Sequence, residues 1–91
     1  MYKILIVEDD PVIASSLARQ LTRWNYEATY VQEFDHVMQE FEKAQPDLVL
    51  MDITLPFFSG YYWCAEIRKI SRVPIVFLSS AADEMNQVMA L

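Results

Sequence analysis

Short unbroken apolar runs alternate along the chain with longer stretches in which apolar residues return at helical spacing. Ile4–Val7, Leu48–Met51 and Ile75–Leu78 each contain four apolar residues with no polar interruption. That is the pattern of strands covered by helices on both faces of a parallel sheet. Glu27–Val31 is more polar and reads as an edge strand. Between the runs, Ile13, Leu17, Leu21 and Trp24 fall on one helical face. Asp10-Pro11 precedes them, pairing an N-cap carboxylate with a proline suited to the first turn. Val37, Met38, Phe41 and Ala44 mark a second helix, and Trp63, Ile67 and Ile70, after Gly60, a third. A fourth helix is expected from about Asp83 through Met85, Val88 and Met89. These stripes read as core. The order βαβαβαβα predicts an α/β, doubly wound parallel sheet with right-handed crossovers. In the strand order 2-1-3-4, the run Ile75–Leu78 lies at an open edge. Open apolar edges pair with other chains, so self-association through that edge is expected.

Composition narrows the function classes. At 91 residues, one domain is expected, and 54% hydrophobic against 22% charged residues excludes disorder as a default. No stretch approaches the ~20 apolar residues of a membrane helix. Met1-Tyr2-Lys3 leads straight into a strand-like run, so no signal peptide is expected. A lone Cys64 excludes an internal disulfide and zinc sites built from several cysteines, and a cytoplasmic location is expected. Thirteen acidic and seven basic residues give a net charge of −6, the wrong sign for a nucleic-acid surface. Contact with DNA would have to come through a domain absent from residues 1–91. Gly60 is the sole glycine, which excludes the glycine-rich phosphate loops. His36 is the sole histidine and reads as a surface residue.

In open parallel sheets, ligands bind beyond the carboxyl ends of the strands. Here those ends read Glu8-Asp9-Asp10 after the first strand, Asp52 after the third and Ser79-Ser80 after the fourth. If strands one and three are neighbours, Glu8, Asp9 and Asp52 converge. Close carboxylates raise each other's pKa unless a cation is bound. Oxygen ligands without His or Cys suit a hard dication, most simply Mg²⁺. An aspartate at the focus of such a site is a competent nucleophile toward phosphorus. Asp10 reads as the helix cap instead of a ligand. Each of these residues taken singly could be a turn or cap residue; the case for chemistry rests on the constellation. Ser79 would face the same pocket.

The segment Lys3–Asp10 resembles the opening of response-regulator receiver domains. Leu48–Pro56, followed by Gly60, resembles the segment around their phosphorylated aspartate, and Pro74–Ala81 the strand ending in their Thr or Ser. The three motifs stand in order and together cover essentially the whole chain. The resemblance implies a flavodoxin-like receiver fold in which Asp52 accepts a phosphoryl group from a sensor histidine kinase. It implies Mg²⁺ held by Glu8, Asp9, Asp52 and the backbone carbonyl of Thr54. Ser79 would be the switch hydroxyl, Ala81 would leave room for kinase or attacking water, and the Thr54 side chain would tune dephosphorylation. Such a module catalyses its own phosphorylation and dephosphorylation and turns over no outside substrate. The chain ends before the family's fifth strand and fifth helix, and Lys3, Lys43 and Lys69 do not occupy the place of the Lys that pairs with the phosphoryl group. Leu55–Cys64 further resembles receivers joined to winged-helix DNA-binding domains of the OmpR type, among them regulators of bacterial defence against cell-wall-active peptides. Two other readings stand beside this one. A phosphohydrolase of the haloacid dehalogenase type also attacks phosphorus with a strand-terminal aspartate, but places a second Asp where this chain has Thr54. The other is an interaction module that is never phosphorylated.

Overall fold

The computed structural model describes residues 1–78 in full and the backbone of residues 88–90. Strand β1 (Lys3–Val7) leads to helix α1 (Pro11–Arg23), β2 (Glu27–Tyr30), α2 (Val37–Ala44), β3 (Leu48–Asp52), α3 (Gly60–Arg68), β4 (Ile75–Leu78) and a short β5 (Val88–Ala90). The sheet order is β2-β1-β3-β4-β5, with β1 to β4 mutually parallel. This is the doubly wound arrangement expected, and it sets β1 beside β3. Ile6 pairs with Leu50 and Val7 with Met51, so the two strands end level with one another.

Side-chain alternation divides the sheet into two unequal faces. Leu5, Val7, Val49, Met51, Ile75 and Phe77 point to one side and are buried with Val37 and Phe41 of α2 and Trp63, Cys64 and Ile67 of α3. The other side carries Ile4, Ile6, Leu48 and Leu50, on which α1 sets Ala14, Leu17 and Leu21. On this side Leu48, Leu50, Val76 and Leu78 are half-buried, whereas their neighbours Val49, Met51, Ile75 and Phe77 are fully buried. Full cover on both faces was the expectation. Among the described residues, α1 is the helix on this side, and it lies over β1 and β2.

Helix α1 starts as the sequence requires. Asp10 Oδ1 accepts from the backbone N–H groups of Val12 (2.9 Å) and Ile13 (3.3 Å), satisfying two of the helix's orphan donors, and Pro11 occupies the first turn. Its apolar stripe is shorter than expected. Trp24 is the C-cap and 62% exposed, because the chain leaves the helix there and turns through Asn25 at φ 69°. Ile70 likewise lies past the end of α3 and is exposed, while Trp63 is core as expected. Helix α2 ends at Gln45, which takes the left-handed C-cap conformation. Helix α3 is capped by Ser59, whose hydroxyl accepts from the Tyr62 N–H at 3.3 Å.

The C-terminal expectation needs correction. Val88 and Met89 were expected on a fourth helix; they lie on β5, antiparallel to β4, with Leu78 opposite Val88 and Val76 opposite Ala90. The physical reason is the edge itself. The N–H and C=O groups of β4 need partners. Only the nine positions 79–87 separate the two strands, too short for a parallel crossover of a dozen or more residues, so the return is antiparallel. Residues 83–87 of the expected helix lie outside the described residues. The edge of β4 is therefore paired within the chain, and the expected self-association through an open Ile75–Leu78 edge loses its basis.

Candidate functional site

Strands β1 and β3 end side by side, so the residues just past Val7 and at the end of β3 meet at one rim of the sheet. Glu8, Asp9 and Asp52 are brought together there. One carboxylate oxygen from each lies within 4.8 Å of the others. Glu8 is 9% and Asp52 5% exposed, whereas Asp9 faces solvent. The expected cluster is thus assembled. Among the described residues, no cationic side chain forms an ion pair with any of the three.

Two buried carboxylates without a counter-charge resist ionisation. Burial is the main cause that pushes Glu8 up, from the ordinary 4.5 to about 7; the nearby Asp52 charge and hydrogen bonds to Asp52 and Asp9 add to it, opposed by the Asp10 N–H. That N–H donates to Glu8 Oε2 at 3.1 Å. Burial also raises Asp52 above its ordinary value; the hydrogen bond from Glu8 and the N–H groups of Thr54 and Ile53 pull it back, while Asp9 pushes it up. Without a cation, then, Glu8 titrates close to neutral pH, with its proton hydrogen-bonded toward Asp52.

The loop after β3 is tied at both ends to this rim. The Thr54 N–H donates to Asp52 Oδ1 at 3.4 Å, and the Gly60 N–H to the Ile53 carbonyl at 2.8 Å. Gly60 packs so closely that a Cβ there would sit 2.2 Å from the Asp52 carbonyl oxygen. In the sequence, Gly60 reads only as a helix-start marker and motif residue. Its role as the seat of α3 against Asp52 depends on a tertiary contact that spacing does not reveal.

The remaining candidates are placed as follows. Thr54 stands beside the cluster with its side chain exposed. Ser79 and Ala81 lie outside the described residues. Lys3 is at the opposite end of β1, and Lys69, past α3, pairs with Glu66 at 2.7 Å. His36 is on the surface, as expected, with Nδ1 2.8 Å from Asp35 Oδ1. Glu33, Asp35 and His36 also lie close together, but all three are exposed. A groove of about 620 Å³ between β2 and α2, lined by residues including Lys3, Thr29, His36, Glu40 and Lys43, mixes charges of both signs and does not include the carboxylate rim.

The family model described as the response regulator receiver domain matches residues 4–91. The chain belongs to that family. Across its full length it is 52% identical to the uncharacterized transcriptional regulatory protein YvcP of Bacillus subtilis, spanning 38% of that protein. Among solved structures, the N-terminal domain of the nisin resistance regulator NsrR superposes with a TM-score of 0.84 at 50% identity, covering 96% of this chain and 74% of that one. The Thermotoga maritima response regulator TrrA, solved in complex with Mg(2+)-BeF, gives a TM-score of 0.81 at 31% identity, covering 90% of this chain and 72% of that one. TrrA was also solved in complex with the histidine kinase ThkA (TM-score 0.80, 30% identity, 96% of this chain and 76% of that one). The chain therefore spans less than two-fifths of the YvcP relative. Membership in the receiver family does not favour the phosphohydrolase reading. NsrR is a lantibiotic response regulator, the kind of defence regulator that Leu55–Cys64 resembles.

Proposed function

We propose that this receiver domain takes a phosphoryl group onto Asp52 from a sensor histidine kinase and passes the signal to a longer regulatory protein. One observation carries the reading: three carboxylates meet at the ends of β1 and β3, two of them buried, with no cationic partner among the described residues. Such a set fits a hard dication, and Mg²⁺ suits oxygen donors that leave room for water and a phosphoryl oxygen. Glu8, Asp9 and Asp52, with the Thr54 carbonyl, would hold it. When bound, Mg²⁺ neutralises charge on the transferring group.

The chain's own residues supply the rest. Asp52, which would be ionised with Mg²⁺ held beside it, would attack phosphorus through one of its carboxylate oxygens. The new O–P bond forms as the P–N bond to the donor imidazole breaks, and the electron pair returns to the ring nitrogen. Glu8 and Asp9 would hold the cation throughout the transfer. The backbone N–H of Thr54 orients Asp52, and Ser79 and Ala81 keep the switch and access roles that the family resemblance implies. Hydrolysis of the acyl phosphate returns the domain to its starting state, so the module acts on itself and not on an outside substrate. Any DNA-binding role belongs to a further domain of the longer protein, with YvcP as the precedent for a transcriptional regulator. No helix among the described residues is long and apolar enough to cross a membrane, and a cytoplasmic site of action fits a kinase partner.

Intact mass tests this directly. Incubation with acetyl phosphate and Mg²⁺ is expected to add one phosphoryl group, and EDTA to prevent it. A folded, Mg²⁺-treated protein that gains no mass, or one that gains it equally in EDTA, would contradict the proposal.

A further inference from the structure

Thirteen acidic residues stand against seven basic ones in this chain, yet one element departs from that balance. Helix α1 contains no Asp or Glu, and its two charges, Arg19 and Arg23, stand four residues apart. Like charges at that spacing are neighbours on a helix and disfavour it slightly. The helix dipole accounts for a cation in the last turn, where Arg23 lies, but not for a second one a turn earlier. Among the described residues, neither guanidinium meets a carboxylate. The fold alone does not explain the pair.

Both arginines line a cleft of about 730 Å³ between α1 and the edge strand β2, together with Ser15, Ser16, Thr22 and Tyr30. No acidic residue lines it. Tyr30 also borders the groove toward α2, but that one carries Glu27, Glu33 and Glu40. The hydroxyls of the α1 cleft divide in two. Ser15 and Thr22 donate to the carbonyls of Val12 (3.2 Å) and Ala18 (2.8 Å), so their protons are spent on the helix. Ser16 does the reverse. Its oxygen accepts from Arg19 Nη2 at 3.3 Å, which steadies the guanidinium and leaves the Ser16 O–H free to donate. Arg23 has no side-chain partner among the described residues. The cleft thus offers cationic and hydroxyl donors with no carboxylate to compete for them. Guanidinium forks match the oxygens of a phosphate group, and two of them one turn apart suit a doubly charged anion. The volume is that of a site for a small organic molecule, far more than a lone phosphate ion fills. The Tyr30 ring, 38% exposed, supplies an apolar surface for the remainder.

We infer that the α1–β2 cleft binds a small soluble phosphate monoester, its phosphate held by Arg19, Arg23 and Ser16 and its organic part resting on Tyr30. The inference is independent of the phosphoacceptor reading, because it uses none of Glu8, Asp9 and Asp52 and needs no Mg²⁺.

The test titrates the isotope-labelled chain with adenosine monophosphate in EDTA and follows the side-chain N–H resonances of Arg19 and Arg23. EDTA keeps the acidic rim free of any cation that could itself hold phosphate. Saturable shifts at both arginines are expected, with half-saturation at ~1 mM or below in low salt. Adenosine, which lacks the phosphate, should leave them unmoved. Arg19→Gln and Arg23→Gln keep good helix formers, and each is expected to weaken binding ~10-fold or more, the loss of hydrogen bonds to a charged group. Arg19→Gln also removes the like-charge pair, so the urea midpoint of the ligand-free variant should be no lower than its parent's. A lower midpoint would show that Arg19 serves the fold, and would overturn the inference. So would the absence of a saturable shift up to ~10 mM nucleotide, a weaker contact than a built site gives. Equal shifts with adenosine, or undiminished binding by Arg19→Gln, would also overturn it. Co-sedimentation with phosphatidic acid vesicles, without any response to the nucleotide, would assign the cleft to a membrane surface and overturn the soluble ligand.

Discussion

Replacing Gly60 with alanine is expected to destabilise the domain by about 2–4 kcal/mol, one of the largest effects available to a single methyl group here. The methyl carbon would sit 2.2 Å from the Asp52 carbonyl oxygen and 3.0 Å from its carbonyl carbon. A backbone carbonyl in mid-sheet cannot swing aside as a flexible side chain would. Relief therefore requires the first turn of α3 to lift away from β3, breaking the Gly60 N–H bond to Ile53 and loosening Trp63 and Ile67 in the core. The better helix propensity of alanine, under ~1 kcal/mol, is too small to compensate. Urea denaturation should show a lower midpoint with an unchanged slope. A midpoint equal to that of the unmodified chain would show that α3 is not seated on Asp52 as described.

Acidification is expected to stabilise the metal-free domain at its acidic rim, against the usual trend. Glu8 binds its proton more tightly in the folded state, with a value raised from 4.5 to about 7, and Asp52 is raised too. Between roughly pH 4.5 and 7, the folded state therefore holds more protons at this rim than the unfolded chain does. Stability from these groups is fully present below the unfolded value and declines as pH rises through the folded one. Each tenfold gain in proton affinity is worth about 1.4 kcal/mol, so the contribution is on the order of 1–3 kcal/mol. Asp52→Asn removes one of the crowded charges, so the variant should be more stable than the unmodified chain at pH 7.5, and the gap should close near pH 5. Mg²⁺ should reverse the ranking at pH 7.5, because it stabilises the form that can bind it. Paired urea titrations at the two pH values, with and without Mg²⁺, measure this. A variant no more stable than its parent at pH 7.5 in EDTA would show that the carboxylates do not strain one another.

The sequence made the parallel sheet legible because Ile4–Val7, Leu48–Met51 and Ile75–Leu78 are continuous apolar runs, and such runs have few other uses in a chain with no membrane-length apolar stretch. The acidic rim was legible for a related reason. Strand ends are where open parallel sheets place their chemistry, and the strand order that unites Glu8, Asp9 and Asp52 follows from the topology. What could not be read are features set by tertiary contact. Val88 and Met89 have side chains compatible with helix or strand, and the unpaired edge of β4 decided between them. Trp24 fits the periodicity of α1, but the helix ends before its ring can reach the core. The partial burial of Leu48 and Leu50 depends on how far α1 reaches across that face, which the pattern within each strand does not encode. The positive φ at Phe57 and the close approach at Gly60 likewise come from a loop pinned at both ends.

The proposed acceptor is Asp52, with Glu8 and Asp9 as ligands. Reduction of the phosphorylated protein with borohydride converts an aspartyl phosphate to homoserine, and peptide mass spectrometry then locates the change. Homoserine is expected at position 52 alone, with Glu8 and Asp9 unmodified. Modification at either of those residues, or at none in a protein that has gained a phosphoryl mass, would contradict it.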